Sequence, residues 1–155
     1  MDAKLVNPII DAFMEIPQQM GFPPPTRQGI SLQDKNVISK GVTIEVGFIK
    51  QLRGTVVYNM TEETAKYIAS TMMMGVPVTK FGDLVQSAIR EMGNMLTARA
   101  ATKYAQQGLD VDITTPKLTI SQDYTIKISD ERYLTVEMGL GGYRVYIALA
   151  VDRAV

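Results

Sequence analysis

The chain has no cysteine, no histidine and no tryptophan, and the first two gaps each remove a class of chemistry. Without cysteine there are no disulfides, thiolate metal sites or cysteine nucleophiles. Without histidine the familiar histidine-dependent triads are lost, and with both missing a typical zinc site has no ligands. Charge of one sign is missing too: Lys plus Arg and Asp plus Glu number 16 each, for a formal net charge of zero. With no basic run, the chain offers no footprint for nucleic acid or an anionic membrane. No apolar run approaches the roughly 18 residues of a spanning helix. Met1-Asp2-Ala3-Lys4 also lacks the charged-then-apolar pattern of a secretory leader. The expectation is a cytoplasmic protein whose chemistry rests on carboxylates and amides, or on an all-oxygen metal site.

What is present suits one domain over residues 1–155, with 46% hydrophobic and 21% charged residues, close to ordinary globular values. Leu5, Val6, Ile9, Ile10, Phe13 and Met14 repeat with helical spacing from Asp2 to about Met20. Asn7 reads as a cap ahead of Pro8, and Pro17 as a kink or stop. Pro23-Pro24-Pro25 forces an extended connector. From Ile30 the period becomes two, with Val42, Ile44, Val46 and Phe48 on one face. Leu52 to Met60 repeats that pattern as the second arm of a hairpin. Thr61, followed by Glu62 and Glu63, caps a helix that should run to Met74 and stop at Gly75. A long helix is predicted from Asp83 to Gln107, closed by Gly108. Short strands follow at Leu118/Ile120, Tyr124/Ile128 and Leu134/Met138, with Asp130-Glu131-Arg132 a polar turn. Gly141-Gly142 then turns a hairpin into Tyr143–Val151. The fold class is α+β with a largely antiparallel sheet. Each half opens on a helix and contains a hairpin, which suggests an internal pseudo-repeat.

The long helix carries the polar pattern of interest. At 100° per residue with Ser87 at zero, Glu91 falls at about 40° and Asn94 at about −20°. Val85, Ala88, Ile89, Met92, Met95 and Leu96 spread over about 80° to 200°, so Ser87, Glu91 and Asn94 form a stripe facing away from the core. Ala98 extends the stripe with a small side chain. Arg99 and Lys103 fall on the apolar side, where snorkelling would accommodate them. Gly93 sits mid-helix, at about 1 kcal/mol disadvantage to alanine. Glu91 has no basic residue three or four positions away. From the residues alone the stripe is either a plain solvated face or a partner-facing site.

Ser87-x-x-x-Glu91-x-x-Asn94, followed some way on by Pro116, resembles the signature of the CheC/CheX chemotaxis phosphatases. The run Ser87-Ala88-Ile89-Arg90-Glu91-Met92-Gly93-Asn94-Met95 is most similar to the CheX type. The likeness extends through the N-terminal helix, the Thr64–Gly75 helix and Val111–Thr114, and is weakest between about Pro23 and Lys40. It implies a CheC-like fold, a sheet packed with two long helices and shorter ones. It also implies an activity: hydrolysis of the aspartyl phosphate on a CheY-like receiver domain. The receiver would bring its own Mg²⁺, so the chain would need neither metal nor cofactor. By the same resemblance Asn94 would orient the attacking water and Glu91 would anchor to the receiver. A general base is the other role open to that carboxylate. Ser87, Gly93 and Pro116 would support the geometry.

The CheC type carries two such motifs and the CheX type one. Asp11-x-x-x-Glu15-x-x-Gln18 reads as a decayed or coincidental second copy, with Pro17 placed where the motif needs rigidity. A single site favours the CheX type, which implies a homodimer paired through β-structure. The competing reading is a non-catalytic receiver-binding or flagellar-switch module on the same scaffold. Met72-Met73-Met74 reads as core packing, and Asp110 with Asp112 as solvated loop residues.

Overall fold

In the computed structural model, which describes residues 2–154, Asp2 rather than Asn7 caps the first helix, α1 (Ala3–Gln19). The Asp2 carboxylate accepts from the Lys4 amide at 2.9 Å. Pro8 therefore lies in the second turn, where its missing N–H leaves the Lys4 carbonyl without its helical donor. The Gln107 side chain donates to that carbonyl at 3.3 Å. Pro17 does not end the helix, which runs two residues further. Its buried ring packs in the core, and its carbonyl accepts from the Met20 and Phe22 amides, so the chain turns just beyond it.

Three strands and two helices follow: β1 (Thr26–Ile38), β2 (Gly41–Lys50), β3 (Leu52–Met60), α2 (Glu62–Met72) and α3 (Asp83–Gln106). The chain ends in β4 (Val111–Ile113), β5 (Lys117–Ser121), β6 (Thr125–Leu140) and β7 (Tyr143–Arg153). Thr61 caps α2 as expected, accepting from the Thr64 amide. That helix stops at Met72, before Met74 and Gly75, which take left-handed φ of 59° and 87°. Met72 and Met73 pack against the core while Met74 is fully exposed, so only part of the methionine run is core.

β1 and β6 depart most from the sequence pattern. β1 is exposed along almost its whole length, so no alternation marks it; its partner is β6, about a hundred residues on. The two runs expected as separate strands are one strand, β6, and the Asp130–Arg132 turn lies inside it. Lys35 of β1 stands alone opposite the four residues Ile128–Glu131, an enlarged bulge between the Asp34–Arg132 and Asn36–Lys127 pairs. At Gly141-Gly142 both residues have positive φ, as a two-residue hairpin turn requires.

All strand pairings are antiparallel, in the order β1-β6-β7-β3-β2, with β4 and β5 end to end along the free edge of β2. The hairpins β2–β3 and β6–β7 meet at the β3–β7 pair. Each receives an edge strand from the other half: β1 pairs with β6, and β5 with β2. This reciprocal exchange gives the two halves a matching strand arrangement. The helices cover one sheet face, over a core that includes Phe13, Ile44, Tyr58, Ile89, Met138 and Ile147. A smaller cluster, Val37, Val57, Ile126, Tyr133 and Ala148, closes the other face.

Thr43 Oγ1 is buried without a hydrogen-bond partner. An unpaired buried hydroxyl is destabilising, and valine has nearly the same shape. Thr43→Val is therefore expected to raise stability by about 1 kcal/mol in denaturant unfolding. A lower midpoint would mean that the hydroxyl is satisfied in solution.

Candidate active site

The seat of α3 decides what its outer face presents. Val85, Ile89, Met92, Leu96, Ala100 and Tyr104 are buried, and the Tyr104 hydroxyl donates to the Leu5 carbonyl of α1. Gly93 is buried as well. A Cβ at that position would stand 2.8 Å from Ile44 Cγ2 on β2, so the glycine lets helix and sheet approach closely. Its presence mid-helix thus has a packing reason, and it supports the site from beneath. Thr97 Oγ1 donates to the Gly93 carbonyl at 2.7 Å and lies 2.9 Å from the Tyr58 hydroxyl of β3.

Arg99 and Lys103 lie beside α1 and are paired there. Arg99 Nε and Lys103 Nζ donate to the two Glu15 oxygens at 2.9 and 2.8 Å, tying α3 to α1. Lys103 first, then Arg99, hold the Glu15 carboxyl below its ordinary pKa. This ionic clamp is invisible in either helix alone. It also separates the Asp11/Glu15/Gln18 stretch from the α3 stripe: Glu15 is paired, and the Gln18 amide donates to the Met14 carbonyl at 2.7 Å.

Ser87, Glu91 and Asn94 are exposed on the side of α3 away from the sheet. Among the described residues, neither Glu91 nor Asn94 makes a side-chain hydrogen bond, and Glu91 has no ion-pair partner. A carboxylate and a carboxamide thus stand one turn apart on a helix whose far face is locked. Ala98, a turn beyond Asn94, is partly buried and leaves the approach open. Pro116 lies between β4 and β5, both alongside α3. Thr114, two residues earlier, donates its amide to the Gly47 carbonyl at 2.9 Å and accepts the Gly47 amide through Oγ1 at 2.8 Å. Pro116 therefore sits on a connection that β2 holds in place.

Among the described residues no group of three acidic side chains is placed to hold a metal. Asp110 pairs with Lys50, and Asp112 accepts the Ile113 amide. No helix among them is long and apolar enough to cross a membrane. Thr97 and Tyr58 are the residues at this site that sequence reasoning missed. The helical wheel gave no signal for them, because Thr97 falls at about 280°, outside the arc of apolar residues.

Residues 42–138, which include the whole Ser87–Asn94 stripe, match the family described as chemotaxis phosphatase CheX. The chain belongs to the CheX family. It is 33% identical over 128 residues to the CheY-P phosphatase CheX of Thermotoga maritima, covering 82% of each chain. A CheC-like superfamily protein from Shewanella sp. PV-4 superposes with a TM-score of 0.86 at 20% identity, over 98% of this chain and 99% of that one. That likeness establishes the CheC-like fold. The CheX–CheY–BeF3–Mg²⁺ complex from Borrelia burgdorferi contains a similar chain, with TM-score 0.73 and 25% identity over 96% and 97% of the two chains. The CheX match therefore spans the fold, the long helix and the stripe together.

Proposed function

We propose that this CheX-family chain is a protein phosphatase that hydrolyses the aspartyl phosphate of a CheY-like receiver domain. Asn94 orients the attacking water, and Glu91 anchors the helix to the receiver. The observation that carries this reading is the unpaired, exposed Glu91 and Asn94 on a helix held from beneath by Gly93 and Ile44. In-line hydrolysis forms a bond from water oxygen to phosphorus and breaks the one to the aspartyl oxygen. What it needs from a protein is mainly placement of that water and stabilisation of charge. A carboxamide can accept from the water and donate to a phosphoryl oxygen at once. The receiver supplies Mg²⁺, and this chain contributes no cofactor. The reading places the chain in the cytoplasm, as one domain over residues 1–155.

The test is to add the purified chain to a phosphorylated receiver with Mg²⁺ and follow phosphate loss. Dephosphorylation well above the receiver's own decay is expected; an unchanged decay would reject the phosphatase reading.

The same reading includes a homodimer joined through β-structure. β1 is supported as the contact because it is a thirteen-residue edge strand with Ile30 and Leu32 47% and 61% exposed. A long exposed edge strand of this kind invites pairing with another strand. Sedimentation at micromolar concentration should show a species of twice 17.1 kDa, and Leu32→Lys should shift it toward the monomer. A single 17.1 kDa species for the unmodified chain would remove the dimer.

A further inference from the structure

Gly93 has a second consequence for α3. The glycine that allows close contact with Ile44 also gives the backbone its greatest freedom, one residue before Asn94. Its carbonyl accepts the helical bond from the Thr97 amide and a further bond from Thr97 Oγ1 at 2.7 Å. The single Thr97 hydroxyl proton is committed to that carbonyl, so the Tyr58 hydroxyl is the donor across the 2.9 Å contact with Thr97. Both residues are buried, Thr97 completely and Tyr58 to within 2%. Burial also pushes the Tyr58 phenol far above its ordinary pKa, keeping that donor protonated. A polar chain thus runs from central strand β3 to the backbone directly under Asn94.

We infer that Thr97, held by Tyr58, is a positioning residue that fixes the Gly93–Asn94 backbone and so the direction of the Asn94 carboxamide. The inference rests on the phosphatase reading of the stripe. Misplacing a reacting group by about 1 Å can reduce rate a hundredfold, so a modest loosening at Gly93 reaches the chemistry without touching the receiver.

Thr97→Val removes the hydroxyl and keeps the shape, Thr97→Ser keeps the hydroxyl, and Tyr58→Phe removes the outer donor. For a phosphorylated receiver, Thr97→Val is expected to lower kcat roughly tenfold with KM within about twofold. Tyr58→Phe should lower kcat less, and Thr97→Ser should retain it. Thr43→Val, the same chemical change on the opposite sheet face, serves as the control and should leave kcat unaltered. Equal losses in the Val and Ser variants, wild-type kcat in Thr97→Val, or an effect on KM alone would overturn the inference. Amide hydrogen exchange across residues 93–98 decides the point independently of activity. Faster exchange in Thr97→Val, restored in Thr97→Ser, supports positioning, and unchanged exchange overturns it. If the unmodified chain proves inactive, the phosphatase reading fails while this exchange comparison still decides the brace.

Discussion

Asn94→Ala is expected to lower kcat for receiver dephosphorylation at least about a hundredfold, with affinity for the phosphorylated receiver within about twofold of the unmodified chain. The side chain is exposed and bonded to nothing among the described residues, so removing it leaves no buried group unpaired. Alanine is also the better helix former by several tenths of a kcal/mol. A fall in activity therefore cannot be charged to unfolding, and the melting temperature should hold or rise. Binding can be followed with a receiver carrying a phosphoryl analogue and Mg²⁺, separating affinity from turnover. Equal rates for Asn94→Ala and the unmodified chain would show that the water is oriented elsewhere. Receiver binding by the unmodified chain with no acceleration would leave a receiver-binding module on the same scaffold.

Gly93→Ala is the second large effect, and its sign is opposite to helix propensity. In an isolated helix the change would stabilise by about 1 kcal/mol. Here the new Cβ would sit 2.8 Å from Ile44 Cγ2, and Ile44 is itself only 1% exposed. A β-branched side chain in a strand has little rotamer freedom with which to yield. Overpacking of this kind costs typically 1–3 kcal/mol, so net destabilisation is expected, together with a fall in kcat as α3 lifts from β2. Ile44→Ala opens the space, and the double variant should be more stable than the sum of the single effects by about 1 kcal/mol or more. Unfolding curves for the four proteins of that cycle provide the check. A Gly93→Ala chain as stable as the unmodified one would mean that the helix rides higher than 2.8 Å implies.

Elements whose signal is local were legible in the sequence. The β2–β3 hairpin shows because apolar Val42, Ile44, Val46 and Phe48 alternate with Thr43, Glu45 and Gly47. Thr61 caps α2 and Gly141-Gly142 makes a turn because each acts through its own few bonds. The polar stripe was equally legible, since helical geometry alone places Ser87, Glu91 and Asn94 on one face. β1 was not, because an exposed strand is specified by its partner rather than by its own pattern. The Asp130–Arg132 segment carries turn residues and does bend, but pairing with β1 on both sides of the bulge keeps β6 a single strand. Asn7 read as the cap because proline suits a first turn, whereas Asp2 caps the helix and Gln107 supplies a donor for the carbonyl that Pro8 orphans.

For this protein the sequence by itself determined the chemistry on offer and the face that offers it. The absence of His and Cys removes imidazole and thiolate chemistry and points to carboxylates and amides, and a 3.6-residue period places Glu91 beside Asn94. Only the tertiary structure decided what makes that face a fixed platform. Gly93 answers to Ile44, Arg99 and Lys103 to Glu15, and Thr97 to Tyr58. Each of these pairs joins segments far apart in the chain. A helical period records which way a residue points, and the identity of what it meets there is settled only when the strands and helices pack.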